Sequence, residues 1–255
     1  MRRVTPGGED IPAVGRRHTG PNVKVFIPQP EQRAIAFPTF DAHRRPVWGP
    51  DEARPTVRAY TVRRFDAAAG ELNIDFVLHG DHGVAARWAA NARPGDILGV
   101  SEASGISIKQ ADCYLFVGDQ AALPAIGRLL EELPAEACGQ AFAEIPDATE
   151  EQPIVTRSGV ALTWLHRDGV PAGRATLLID AVRALARPTE GRIFAWIAAE
   201  SAATRAIRTH LITERGLQRQ SLLSIGYWKV GLDETTYHDH DHDHDDHDHN
   251  QGEAE

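Results

Sequence analysis

What this 255-residue chain lacks narrows its function before any motif is read. No uninterrupted apolar run reaches bilayer length, and the start MRRVTPGGED has no apolar signal core, so the chain is expected to be soluble and cytoplasmic, without membrane insertion. It has two cysteines and no framework of paired spacings. Cys113 opens an apolar, strand-like run and reads as a buried, inert thiol; Cys138 sits beside a glycine. An excess of basic charge is also missing. The formal net charge is −9, of which residues 238–255, with six Asp, two Glu and no Lys or Arg, supply −8. The remaining body is close to neutral, which gives no reason to expect nucleic acid as a partner.

With 42% hydrophobic residues, the chain is long enough for two modest cores. Its texture changes near residue 110. Before that point, strand-like pieces (23–28, 56–65, 71–79 and 96–103) are separated by Pro, Gly and Asp turn signals, with one helical stretch at 83–92. This is the pattern of a small antiparallel barrel with one inserted helix. Beyond it, buried strands at 113–119, 140–145, 161–167, 192–200 and 221–231 alternate with helices at 122–133, 175–185 and 201–216, as parallel βα units do. The expected layout is a barrel domain over 1–108, an α/β domain over 109–232 and a tail over 233–255.

Three stretches carry chemistry. In RAYTVRRF (58–65), strand alternation places Arg58, Tyr60 and Val62 on one face and Ala59, Thr61 and Arg63 on the other. That supplies a cation, a ring and a hydroxyl to a ligand lying across the strand; a surface strand with solvated arginines is the competing reading. In LHGDHGVAARWA (78–89), glycines lead into a helix start whose unpaired N–H groups suit a phosphate, to which Arg58 would add a charge-assisted contact. VGDQAALPAI (117–126) puts Gly118 at the carboxyl end of a strand, where ligands of parallel sheets gather, and Pro124 in the first turn of the next helix. It is no G-x-G-x-x-G fingerprint, and an ordinary βα turn explains it equally well.

RAYTVRRF, DFVLHGDHGVAARWA, PGDILGV, YLFVGDQAALPAIGRLLEELP, WLHRDG, AWIAAES and ERGLQRQSLLSIGYWKVG, in this order and spacing, resemble the siderophore-interacting protein family of flavin reductases, within the ferredoxin reductase superfamily. The resemblance runs from about residue 2 to 231. It implies an antiparallel Greek-key FAD-binding barrel followed by an NAD(P)-binding α/β domain, and an enzyme that uses NADPH or NADH to reduce a ferric siderophore and release Fe(II). By position, Arg58, Tyr60 and Thr61 match the R-x-Y-[ST] flavin motif: pyrophosphate, flavin ring and reactive edge. His79 and Gly83, Val84, Ala85 and Trp88 match the second FAD segment. Gly118, Asp119, Gln120, Ala121 and Pro124 match the nicotinamide-side loop GDETALPA, with Gln120 and Ala121 in place of Glu and Thr. His166 and Arg167 lie where the family meets the NADPH ribose. Glu200, Tyr227, Trp228 and Lys229 match its closing motifs, with Ala199 where A-G-E has glycine. MRRVTPGG matches only the second half of the family's first strand, so a barrel edge is expected to lack part of its partner.

NAD(P)H gives up electrons in pairs and Fe(III) takes one, so a flavin is needed between them, with the protein supplying orientation and electrostatics. Ferric catecholates and hydroxamates can be anionic, and Lys229, backed by Arg63 and Arg64, is the candidate cationic mouth for them; Thr61 and Lys229 are the candidate catalytic pair. The tail alternates imidazole and carboxylate, and His238, His240, His242, His244, His247 and His249 could converge on Zn, Ni, Cu or Fe. With no apolar face, that tail is expected to be disordered. Two other functions fit the same residues: a flavin reductase with a protein electron partner, and a metal-buffering protein whose flavin site has decayed.

Overall fold

The computed structural model describes residues 1–14, 21–78, 83–105, 108–186 and 191–232. These fall into two compact units. The first comprises residues 1–110 together with 123–137 and 152–159, and the second the rest of the described chain from residue 111.

The first unit is built on an antiparallel sheet. In chain order it contains β1 (Arg2–Val4), the short helix α1 (Ile11–Val14), β2 (Asn22–Ile27), a two-residue hairpin of β3 (Thr39–Phe40) and β4 (Pro46–Val47), β5 (Thr56–Asp66), β6 (Glu71–Phe76), helix α2 (Val84–Asn91) and β7 (Gly99–Val100). The sheet order is β1-β6-β5-β2-β7, with β1 at one edge. Alternation drives the packing: Leu72, Ile74 and Phe76 on β6 and Val23, Val25 and Ile27 on β2 face a core that Ala85 and Ala89 of α2 close. Small residues on that face of α2 let its backbone approach the strands closely.

On β5 the alternation breaks. Val62 pairs with Ile74 and Arg64 with Asn73, which leaves Arg63 as the extra residue of a β-bulge. Thr61, Val62 and Arg63 are consequently all buried in succession. Helix α3 (Leu123–Glu132) packs against β5, and its Glu131 takes both terminal nitrogens of Arg63, Nη1 at 2.7 Å. Gly127 makes the lodging possible, since a Cβ there would stand 3.2 Å from the guanidinium.

The second unit holds a sheet in the order β10-β9-β8-β11-β12, from β8 (Cys113–Asp119), β9 (Cys138–Ile145), β10 (Gly159–His166), β11 (Ile193–Glu200) and β12 (Leu222–Trp228), with helices α4 (Leu177–Ala184) and α5 (Ser201–Thr209). β8 runs parallel to β9 and β11, and β11 parallel to β12. Central strands such as YLFVG and FAWIAA are apolar up to their last residue because both faces of a parallel sheet are covered. The single helix expected over 201–216 is instead α5 followed by a π-turn at His210–Glu214.

One expectation is overturned. Cys113 is not a buried, inert thiol but forms a disulfide with Cys138, which is exposed. They are register partners at the first positions of β8 and β9, with Cα atoms 4.7 Å apart. Sequence spacing does not reveal which strands become neighbours, so the pairing had no signature. The reading of reduced cysteines therefore lends no support to a cytoplasmic location. Among the described residues, no helix is long and apolar enough to cross a membrane.

Candidate active site

In the first unit, β5 and α2 carry the flavin-type residues. Register places Arg58 opposite Val25, Tyr60 opposite Val23 and Thr61 opposite Asn22. Arg58 is half-buried and its Nη1 donates to the Val57 carbonyl at 2.8 Å, which holds the side chain along the strand. Tyr60 begins an aromatic ladder: its ring lies 4.4 Å from Phe76, which lies 5.8 Å from Trp88 on α2. The Thr61 hydroxyl lies 3.5 Å from the Asn22 side-chain oxygen. Gly83, at φ 93°, is the N-cap of α2 and, as glycine, makes no side-chain cap bond itself. Val84 and Ala85 follow it in the first turn, where N–H groups have no intrahelical acceptor. An anion acceptor of this kind beside an arginine strand and an aromatic ladder fits the phosphate and ring parts of FAD.

One sequence-derived role in this unit changes. Arg63 cannot serve as an open cation, because it is 7% exposed and paired with Glu131, whose carboxyl it holds below the ordinary carboxylate range. Arg64, across the bulge, is the exposed one of the pair. His79 lies outside the described residues, as do His238, His240, His242, His244, His247 and His249.

The second unit gathers its candidates at the carboxyl ends of its strands. The order is 3-2-1-4-5 in chain sequence, so its topological switch point lies between β8 and β11, the place where doubly wound sheets bind ligands. Asp119 ends β8 and Glu200 ends β11. The Asp119 carboxylate accepts from the Glu200 backbone N–H at 2.9 Å, from Trp228 Nε1 at 2.7 Å and from the Ala121 N–H at 2.9 Å. Burial pushes the Asp119 carboxyl up against the pull of these donors. Glu200 caps α5, accepting from the Ala202 and Ala203 N–H groups at 2.6 and 3.2 Å, and it also takes the Val230 N–H at 3.3 Å. Gly173 lets Trp228 lie down here: a Cβ on it would come within 2.9 Å of the indole.

Around this knot stand residues placed by motif and one that was missed. Gly118 pairs with Ala143 and Ala198, and Gln120 donates to Glu150 at 3.2 Å. Pro124 falls instead within the first unit, as the second and buried residue of α3. Tyr227 meets Trp196 edge-on at 6.3 Å, and Lys229 is exposed. His166 Nε2 lies 2.8 Å from Glu151, and Arg167 Nε lies 3.5 Å from Glu144. Glu144 is the missed residue. It is the register partner of Asp119, 4% exposed, and burial, the Asp119 charge beside it, and only partial relief from Arg167 push its carboxyl up to about 7. Its one sequence signal is a single charge near the end of the apolar run QAFAEI.

Comparison with known proteins accounts for both sheets together. Residues 1–106 match the siderophore-interacting FAD-binding domain, and residues 111–231 match the siderophore-interacting protein family. The chain belongs to the siderophore-interacting protein family. Ferric vibriobactin reductase ViuB of Vibrio cholerae serotype O1 is 33% identical over 242 residues, 94% of this chain and 88% of that protein. NADPH-dependent ferric-chelate reductase of Escherichia coli K12 is 29% identical, over 89% of this chain and 87% of that one. The crystal structure of a siderophore utilization protein from T. fusca superposes with a TM-score of 0.80 at 40% identity, covering 91% of this chain and 87% of that chain. An antiparallel FAD-binding sheet followed by a parallel sheet with helices, expected from the sequence, is thus the fold of this family member.

Proposed function

We infer that this chain is an FAD-dependent ferric-siderophore reductase, taking electrons from NAD(P)H and releasing iron as Fe(II). The observation that carries this reading is the span of the two family matches, one flavin-binding and one siderophore-interacting, across residues 1–231 of a chain whose relatives include named ferric reductases. When bound, FAD accepts an electron pair from a nicotinamide and delivers electrons singly to ferric iron.

The residues of the chain bind and orient. Arg58 and the N-terminus of α2 would hold the pyrophosphate, Tyr60 would pack beside the ring system, and Thr61 would offer its hydroxyl to the reactive edge. Asp119 fixes the end of β11 and the Trp228 indole together, which sets the floor against which a nicotinamide is oriented. The exposed Lys229 attracts an anionic ferric chelate; no covalent bond to the protein is required. Oxygen chelators hold Fe(II) far more weakly than Fe(III), so reduction is also release, placed by this reading in the cytoplasm. The His/Asp tail binds a divalent metal in the same reading, on the strength of its alternating imidazole and carboxylate donors.

The test is direct. Purified protein is expected to be yellow with bound FAD and to form Fe(II), trapped by a ferrous-specific chelator, from a ferric catecholate or hydroxamate when NADH or NADPH is added. Protein that retains no flavin after reconstitution defeats the reading; flavin reduction without Fe(II) favours a protein electron partner instead. Replacing Lys229 by Ala is expected to raise the KM for an anionic chelate while leaving flavin content alone.

A further inference from the structure

We propose that this chain selects NADH over NADPH, through an acidic turn after β9 that receives the ribose diol and repels a 2′-phosphate; this rests on the reductase reading above. In a doubly wound sheet the pyrophosphate lies at the turn after the first strand and the adenosine ribose by the end of the second. Here the first strand is β8 and the second is β9. β9 ends with Glu144-Ile145 and runs into Pro146-Asp147-Ala148-Thr149-Glu150-Glu151.

Four carboxylates therefore stand at the ribose end, and each is held in place. Glu144 is buried against Asp119. Asp147 is exposed, and its Oδ1 accepts from the Thr149 N–H at 2.8 Å and from the Thr149 hydroxyl. Those two bonds keep it ionised at neutral pH. Glu150 accepts from Gln120, in the turn after β8, at 3.2 Å, and Glu151 pairs with His166 at 2.8 Å. An ionised Asp147 is an acceptor for a ribose hydroxyl, as the acidic residue of NAD-specific sites is.

The cations that would welcome a phosphate are turned to other work. Arg167, the residue matched to the NADPH ribose, has only 10% of its side chain exposed; its Nε faces Glu144 at 3.5 Å and its Nη1 donates to the Val170 carbonyl at 2.7 Å. His166 is drawn to Glu151. Arg174 follows Gly173, where a Cβ would meet Val230, Trp228 and Glu200, and Arg205 lies on α5 against β11 and β12; both belong to the β11–β12 side of the sheet, across β8 from the turn after β9. A 2′-phosphate brings about two negative charges into this setting, where like charges raise the cost of binding and exclude one partner in favour of another.

The experiment uses the full-length flavin-loaded protein. Rapid mixing with NADH and with NADPH, at 50 and 500 mM NaCl, reads the rate of flavin bleaching and the apparent affinity for each; calorimetry compares 5′-AMP with adenosine 2′,5′-bisphosphate. NADH is expected to be preferred by about tenfold or more, and 5′-AMP to bind the tighter of the two fragments. Salt screens repulsion, so the apparent Kd for NADPH is expected to fall at high salt while that for NADH stays put. Asp147→Asn with Glu151→Gln is expected to move the NADH to NADPH ratio toward NADPH by about tenfold, with unchanged Tm and flavin content. A preference for NADPH, or an NADPH affinity that weakens with salt as at a cationic site, overturns the proposal and leaves the reductase reading standing. Bleaching by neither nucleotide overturns both.

Discussion

At the scale of single residues, the most consequential side chain was the least conspicuous in sequence. Glu144 is one acidic residue at the end of a strand, a position where a solvated charge is ordinary; only the parallel register sets it beside Asp119. The consequence is a pH dependence with a definite sign. In the folded chain its carboxyl titrates near 7, and in the unfolded chain near its ordinary 4.5. Between those values the native state holds a proton that the unfolded state has lost. The stability contributed by neutral Glu144 is therefore complete below about 4.5 and is lost as pH rises through about 7. Melting temperatures measured from pH 5 to 8 are expected to fall more steeply with pH in the native chain than in Glu144→Gln. Parallel slopes would show that Glu144 titrates as an ordinary surface carboxyl. Asp119, Glu200 and Trp228 came to notice through family motifs, whereas their mutual contacts of 2.7 to 2.9 Å were invisible until β8, β11 and β12 were brought side by side.

At the scale of elements, the long buried strands and amphipathic helices were legible because their apolar runs have one physical explanation. CYLFVGD is a strand over residues 113–119 as read, and the helix read at 122–133 is α3 over 123–132. What period-two reading could not supply was the interruption. A bulge resets the alternation of β5 at Arg63 and turns a residue assigned to an open face into a buried partner of Glu131. The hairpin of β3 and β4 was missed for a related reason: two-residue exposed strands carry no pattern to read. The Arg63 pair makes a test of the bulge. Removing Glu131's charge by Glu131→Gln leaves a buried guanidinium without its anion, at a cost of about 2–3 kcal/mol. For a chain of this size that is a fall in Tm of about 4–12 °C. Arg63→Met combined with Glu131→Gln is expected to recover most of the loss, since the orphaned charge goes with it. If the double variant is as unstable as the sum of the singles, the pair is not the coupled unit the geometry describes.

At the scale of the whole molecule, charge is distributed so unevenly that the chain behaves as two electrostatic objects: a nearly neutral body and a stretch of residues 238–255 bearing −8 of the −9 total. The reductase residues named above all lie before residue 233, and among the described residues no group of three or more His, Cys, Asp or Glu is arranged to hold a metal ion. Metal affinity and flavin chemistry are therefore expected to separate cleanly. Deleting residues 238–255 is expected to abolish tight Zn and Ni binding in calorimetry while leaving FAD content and Fe(II) formation from a ferric chelate within about twofold of the full chain, since imidazole and carboxylate are the donors such cations prefer and the deletion removes six imidazoles and eight carboxylates. The metal is expected to dissociate from the full chain as pH falls through about 6.5, where imidazole protonates and ceases to be a ligand. Unchanged metal binding after deletion would move the site into the folded body, and a loss of turnover would make the tail part of iron transfer.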